Sequence, residues 1–303
     1  MKRKVLVTAI AMAVSGSAFA MDGGTNLTSA ADGLYGNIRL ALESKAELNV
    51  TSNKLIFGFK GHEDLGNGMI MSYGIELEND DADSEAEGAG LWTNDKSWVA
   101  LAGGFGKLIM GEHSDMAGWA CGATDILYIG TSDACSLTHN TSPADAIQYR
   151  GSAGDVNFGA AWTADGTTGS ANTLIGLQYA AGDFSVGGQF ASAGDGGAFS
   201  GIAADDSGSV IGGSYAIGGI TLGLSIADNG SDTDSGATDF AVSLPVGPGS
   251  LAVVISSVDT ADSDSTDILY SASIGKSGYA GIEHNSVDSD PDDTTTLFLG
   301  MKF

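Results

Sequence analysis

Along much of this chain apolar and polar residues alternate one by one, and that period of two restricts what the chain can fold into. Leu34, Ile38, Leu40 and Leu42 fall on one side of an extended segment, with Tyr35, Asn37 and Arg39 on the other. Successive side chains of a strand point to opposite faces, so the pattern predicts a strand with one apolar face and one wet face. Leu55, Phe57 and Phe59 likewise oppose Lys54 and Lys60, and Met71, Tyr73, Ile75 and Leu77 oppose Ser72, Gly74, Glu76 and Glu78. Later segments repeat it: Ile175, Leu177 and Tyr179 against Gly176 and Gln178, Phe184, Val186 and Phe190 against Gln189, and Phe240, Val242 and Leu244 against Asp239 and Ser243.

A soluble sandwich has the same period, so spacing has to separate the two. Sixteen candidate strands can be counted, the first starting near residue 33 and the last near residue 295. Several middle ones alternate weakly, so fourteen or eighteen strands stay open. Connections alternate between short ones, such as Gly103 to Gly106, Ala181 to Asp183 and Gly218 to Gly219, and long acidic ones, such as Asn79 to Glu87 and Asp288 to Asp293. Short turns on one side, long loops on the other and an even strand number predict an all-β, antiparallel transmembrane β-barrel. In the last strand Leu297, Leu299, Met301 and Phe303 share a face.

The N-terminus reads as an address. Lys2, Arg3 and Lys4 precede a short apolar run, and Ala18-Phe19-Ala20 fits a cleavage site, so residues 1–20 are expected to be a removed export signal. Residues 21–32 are left as a leader of unassigned structure, and residues 33–303 as one barrel domain. The apolar run falls short of the roughly 20 residues that a helical span needs, and no later stretch reaches that length. Composition agrees with a barrel: 46 glycines suit close backbone approach and bends, and there are only 4 prolines. The formal net charge of −26 argues against nucleic acid, which calls for basic stripes.

With these features the chain resembles the trimeric general porins of Gram-negative bacteria. Residues Phe57 to Met69 look like that family's second strand, first turn and third strand, and Gly103 to Gly111 like a later turn-and-strand block. The resemblance implies sixteen strands, a homotrimer in the outer membrane, and a third external loop folded into each lumen, here residues 114–144. It implies that Phe303 is an assembly signal read by the barrel-insertion machinery, and that lipid and lipopolysaccharide surround the barrel. It also implies a constriction of loop acids facing wall bases. Asp115, Asp125 and Asp133 are the available loop acids, and Arg39, Lys54 and Lys60 have lumen parity. The chain departs from the family where Ile56 and Asp95 stand at positions matched to wall arginines, and where Glu112 stands at an often basic position. The basic half of the constriction is thinned, which leads to an expectation of moderate cation preference.

Cys121 and Cys135 are the two cysteines, both in the proposed inward loop; an even pair in an oxidising compartment is most simply a disulfide. His62, His113, His139 and His284 lack zinc spacing. No cofactor is expected, although the acidic loops could bind Ca²⁺ through oxygens. There is no nucleophile elbow, phosphate loop or dinucleotide fingerprint, so an enzyme is not expected. Trp92, Trp98, Trp119 and Trp162 are candidates for the membrane interface, with Trp92 and Trp119 alternatively facing a solute. The expected function is passive diffusion of small hydrophilic solutes and ions. A substrate-specific channel and a plugged structural or adhesive barrel remain the alternatives.

Overall fold

The structure, a computed structural model, describes residues 33–45, 48–79, 92–128, 134–135, 146–164, 171–194, 202–230, 236–259, 264–288 and 293–303. The expected export signal, the leader, Asp133 and most of the long acidic loops fall outside these residues.

Sixteen strands are described, and each pairs antiparallel with the next until the last returns to the first, closing a barrel. They are β1 (Gly33–Ser44), β2 (Leu48–Gly66), β3 (Met69–Asn79), β4 (Thr93–Gly103), β5 (Gly106–Glu112), β6 (Ala146–Ala153), β7 (Val156–Ala164) and β8 (Ala171–Ala181), followed by β9 (Phe184–Ser192), β10 (Ser207–Ile217), β11 (Ile220–Asp228), β12 (Gly236–Val246), β13 (Gly249–Val258), β14 (Ser265–Ile274), β15 (Gly278–Val287) and β16 (Thr294–Lys302). Of the strand numbers left open, sixteen is the one found. β2 starts earlier than its alternation suggests and runs on to Gly66. Closure leaves no unpaired sheet edge, which a spanning sheet in lipid requires.

Two-residue turns close one end. Asn67 and Gly68 join β2 to β3, and Gly218 and Gly219 join β10 to β11, all four with positive φ. Turns of that hand match the twist of the flanking strands.

The alternation maps onto inside and outside. Leu34, Ile38 and Leu40 are exposed on the outer face while Arg39 and Ala41 between them are buried. The outer face carries large exposed apolar side chains around the ring, including Phe57, Ile75, Met110, Tyr149, Trp162, Ile175, Leu224, Ile255 and Leu299. In water such a belt would be an aggregation surface; in a bilayer it faces hydrocarbon. The seam between β1 and β16 is closed by the last residue, whose N–H donates to the Gly36 carbonyl (3.1 Å) and whose carbonyl accepts from the Gly36 N–H (2.9 Å).

Candidate functional site

The interior has two unlike walls. Across β2, β3 and β4 the inward residues include a cluster of charges. Register pairs Arg39 of β1 with Lys54 of β2, Ile56 with Glu78, and Glu76 with Lys96. Lys54 forms an ion pair with Glu78 on the neighbouring strand, and Lys96 forms one with Glu76. Lys96 also pairs with Asp95 at 2.7 Å. Two adjacent residues share one cluster because the β3–β4 register slips there: Glu76 pairs with Lys96, but Leu77 pairs with Asn94. Asp95 is the extra residue of this bulge, and a bulge can re-aim a side chain that strict alternation would send outward. The end of the Tyr35 ring lies against Gly58 of the neighbouring strand β2. Lys60 lies nearer the short-turn end, its Nζ 4.9 Å over the Tyr35 ring.

The inward row continues with Trp98 of β4, Lys107 of β5 and Arg150 of β6. Trp98 pairs with Gly74, lies against it, and meets the His113 ring edge-on at 5.0 Å. The interface position expected for Trp98 is therefore corrected: its parity is that of Lys96, and the missing side chain at Gly74 makes room for the indole inside. Lys107 Nζ sits 5.1 Å from the Trp98 ring centre, and Lys107 pairs in register with Arg150.

The loop between β5 and β6 turns into the barrel. It is described at residues 113–128 and 134–135, and the described residues include a short helix, α1 (Gly118–Cys121). Its backbone is received by inward polar side chains of successive strands. On β6, Gln148 donates to the His113 carbonyl (2.9 Å), and Arg150 donates to the carbonyls of Ser114 and Asp115. On β9, Gln189 accepts from the Met116 N–H (2.8 Å) and donates to Asp115 Oδ2 (3.1 Å). The Thr124 and Ser225 hydroxyls are 2.6 Å apart, and Asp239 on β12 accepts from the Ala134 N–H at 3.0 Å. Glu283 on β15 accepts from the Tyr128 N–H at 2.8 Å. Such pairing is required, because a buried backbone group left unmet costs about 1–3 kcal/mol.

Apolar contacts fill the space between. Met116 and Trp119 pack on Ala161, Leu174 and Ala191. Ala117, Ala120 and the cysteines pack on Val210, Ala227 and Ala237. Ile126 and Leu127 pack on Val254, Leu269 and Phe298, and Tyr128 stacks on Phe298 with ring centres 4.7 Å apart. The loop thus runs round the wall from Arg150 to Arg39, whose guanidinium carbon is 5.6 Å from the centre of the Tyr128 ring. Cys121 and Cys135 are joined by a disulfide, Cα–Cα 5.8 Å, buried against β10 to β12.

The residues singled out in the sequence separate into groups. Arg39, Lys54, Lys60 and Asp95 lie on the inner wall. Asp115 is buried, and its Oδ1 accepts from the Ala117 N–H, so it braces the loop's own turn. Asp125 is half-buried on the loop. Glu112 pairs with Ser97, one position out of step with Trp98 and Gly111, and accepts a hydrogen bond from Asn94; it is not brought into the wall cluster. Trp119 is 4% exposed and faces the wall, which corrects both roles expected for it. Trp162 is on the outer face. Alternation did place Gln189, Glu76, Glu78 and Asp239 on the polar side, but nothing in it marked Gln148, Arg150 and Glu283 as loop receivers.

His113, outside the strands, is held well below the ordinary histidine value of 6.5, first by burial and then by the positive charges of Arg150 and Lys107. Burial raises the Tyr128 hydroxyl above its ordinary value. Among the described residues no three His, Cys, Asp or Glu side chains gather in a way that could hold a metal. The loops considered for Ca²⁺ lie mostly outside the described residues.

Comparison with known proteins gives three findings. The family model described as Gram-negative porin matches residues 7–276. Major outer membrane protein P.IB of Neisseria meningitidis is 30% identical over 93 residues, which cover 26% of this chain and 27% of that protein. Protein P.IA of the same species is 29% identical over 146 residues, covering 44% of this chain and 36% of that protein. The matched stretches therefore span well under half of those relatives. Among solved structures, a mutant of Rhodopseudomonas blastica porin superposes with a TM-score of 0.71 at 15% identity, covering 89% of this chain and 99% of that one, and so shares the fold.

Proposed function

Because the chain belongs to the Gram-negative porin family, we propose that it forms a water-filled channel through which small hydrophilic solutes and ions diffuse passively across the outer membrane. The observation that carries this reading is the division of the interior. Among the described residues the inward loop covers the wall from β6 to β15, and beside it the charged groups of β2 to β4 pair with one another along the wall. Solutes pass between the loop's exposed or half-buried residues, such as Gly118, Gly122, Ala123 and Asp125, and the wall residues Lys54, Glu76, Glu78, Asp95 and Lys96. Nothing is chemically transformed. Lumen width at the loop limits size, and fixed charge biases which ions enter.

The bias proposed is a moderate preference for cations. On the wall of β2 to β4, three carboxylates (Glu76, Glu78 and Asp95) cluster with the ammonium groups of Lys54 and Lys96, while the third ammonium group, Lys60, lies apart toward the short-turn end. Arg39 lies under Tyr128, and Arg150 is occupied by loop carbonyls, so both turn their charge toward the loop's ends. The remaining elements of the reading are a trimer of barrels, Phe303 as the element recognised during assembly, and residues 1–20 as the export signal.

Reconstitution into a planar bilayer under a KCl gradient tests the proposal. Expected are stepwise openings grouped in threes and a reversal potential on the cation side. Absence of channels from folded protein would overturn the pore, and a chloride-selective reversal potential would overturn the bias.

A further inference from the structure

The wall beneath the loop carries glycine where the loop's backbone comes closest. Gly159 of β7 and Gly176 of β8 are direct register partners, as are Gly187 of β9 and Gly212 of β10. Gly223 of β11 lies one inward position along from Ser225, the partner of Gly212. All five face inward, and together they cross five neighbouring strands as a diagonal track.

The loop lies in this track. A Cβ added at Gly176 would come within 2.6 Å of the Met116 Cβ. At Gly187 it would lie 2.5 Å from the Trp119 carbonyl oxygen, and at Gly223 it would lie 2.7 Å from that of Ala123. At Gly212 the first obstacle is the Ala120 carbonyl, and at Gly159 it is the Met116 sulfur. Three of the five glycines therefore meet loop backbone, which cannot rotate aside as a side-chain end can. The hydrogen bonds from Gln189 and Ser225 hold the loop at this depth from either side. On the β4 side the described loop begins with His113, its ring edge-on to Trp98 at 5.0 Å.

We propose that these five glycines set the size limit of the channel, by fixing how deep in the wall the loop lies and hence how much lumen is left between it and the charged wall. The proposal rests on the porin reading. The glycines do not touch the solute; they position the group that does. A single methyl at Gly187 or Gly223 must lift the loop into the lumen, because the strand behind is held by its neighbours in a closed ring.

The test compares Gly187→Ala, Gly223→Ala and Gly104→Ala with the unaltered protein in planar bilayers, using only barrels that migrate as folded. Gly104 lies in a turn where an added Cβ meets nothing within 4 Å. Expected are a conductance reduced about twofold and a lower cut-off for neutral polymers in the two track variants, with Gly104→Ala unchanged. A purely structural role would lower the folded fraction but leave the conductance of folded channels as it was. Should neither track variant fold, Gly159→Ala decides. Its obstacle is the Met116 side chain, so Gly159→Ala should narrow the channel and the added change Met116→Ala should restore it. Unaltered conductance and cut-off in the folded track variants overturn the inference. Failure of the unaltered protein to conduct would instead overturn the porin reading.

Discussion

The wall of β2 to β4 and the wall of β6 to β15 hang on the same hydrogen-bonded ladder, yet their inner faces obey different rules. On the first, inward positions are Lys54, Glu76, Glu78 and Lys96, charged groups that pair along the wall from strand to strand. On the second, inward positions mix glycine, alanine, Leu174, Val210, Val254 and Leu269 with polar side chains, of which Gln148, Arg150, Gln189, Ser225, Asp239 and Glu283 meet the loop. The first wall faces water; the second faces protein. A barrel that folds part of itself inside therefore has a core, and that core lies between loop and wall.

The contrast makes its strongest claim about what each wall's polar groups stabilise. Arg150→Leu would strip donors from two buried loop carbonyls, at about 1–3 kcal/mol each. Lys54→Leu would remove one side of a partly buried ion pair between neighbouring strands, worth about 1 kcal/mol after screening by water. Limited proteolysis within residues 113–128 should accelerate sharply in the first variant and barely in the second. Equal effects would mean that the walls do not differ as described.

The disulfide comes next. It ties α1 to the residues that reach Asp239, and closing a loop of this length is worth up to about 3 kcal/mol in the chain-entropy picture. Replacing both cysteines by serine should leave barrel migration intact while making channel current noisier and the loop more susceptible to protease. A quiet, protease-resistant double variant would show that the wall contacts suffice alone.

Acid should act on the seated wall first. His113 is neutral when folded, its value depressed by burial and by Arg150 and Lys107. A base depressed on folding adds stability that is complete above its unfolded value of about 6.5, and that is lost as pH falls toward the folded one. Loop protection should therefore weaken below that pH, and His113→Gln should flatten the dependence. A profile unchanged by the substitution would place the sensitivity elsewhere.

The same contrast explains how far the sequence could be read. Alternation is crisp in β1 to β3, where one face meets lipid and the other water. It blurs in β13 and β14, where Val253 and Val254, or Ile268 and Leu269, are adjacent and both apolar. There the inner face is buried under Ile126, Leu127 and Tyr128, so lipid and protein ask for the same residue type. Lys96 escaped notice because the bulge at Asp95 breaks the parity on which inward positions were counted. Trp119 looked like a surface aromatic because no local pattern tells a loop residue that it will be seated on glycines of distant strands. The ring of sixteen strands was legible because it repeats; the receivers Gln148, Arg150 and Glu283 were not, because each meets its partner only after closure.

On the open wall a charge reversal should move ions more than it moves stability. Asp95→Arg replaces a carboxylate of the Glu76–Lys96 cluster with a third positive group near Lys54. Selectivity should shift toward anions, read as a change in reversal potential under a KCl gradient, with the folded fraction little altered. A matching change on the seated wall, Asp239→Asn, should leave selectivity nearly unchanged, since that carboxylate is fully buried beneath the loop.

The smallest effect is expected where the charge is densest in the sequence. Asp80, Asp81 and Asp83 belong to the acidic stretch after β3, which lies outside the described residues. Fixed charges in an external loop act on the pore only through the electrolyte, and their field decays over about 8 Å at physiological ionic strength. Asp95 acts from the wall itself, in the cluster with Glu76 and Lys96. Converting all three loop residues to asparagine should therefore move the reversal potential less than the single change at Asp95, although it removes more charge. Repeating both measurements at tenfold lower salt sharpens the contrast: the Debye length grows to about 30 Å near 0.01 M, so the loop triple should gain influence while the wall residue changes little. If the triple variant matches Asp95→Arg at physiological salt, selectivity is set at the mouth and the charged wall is not its source.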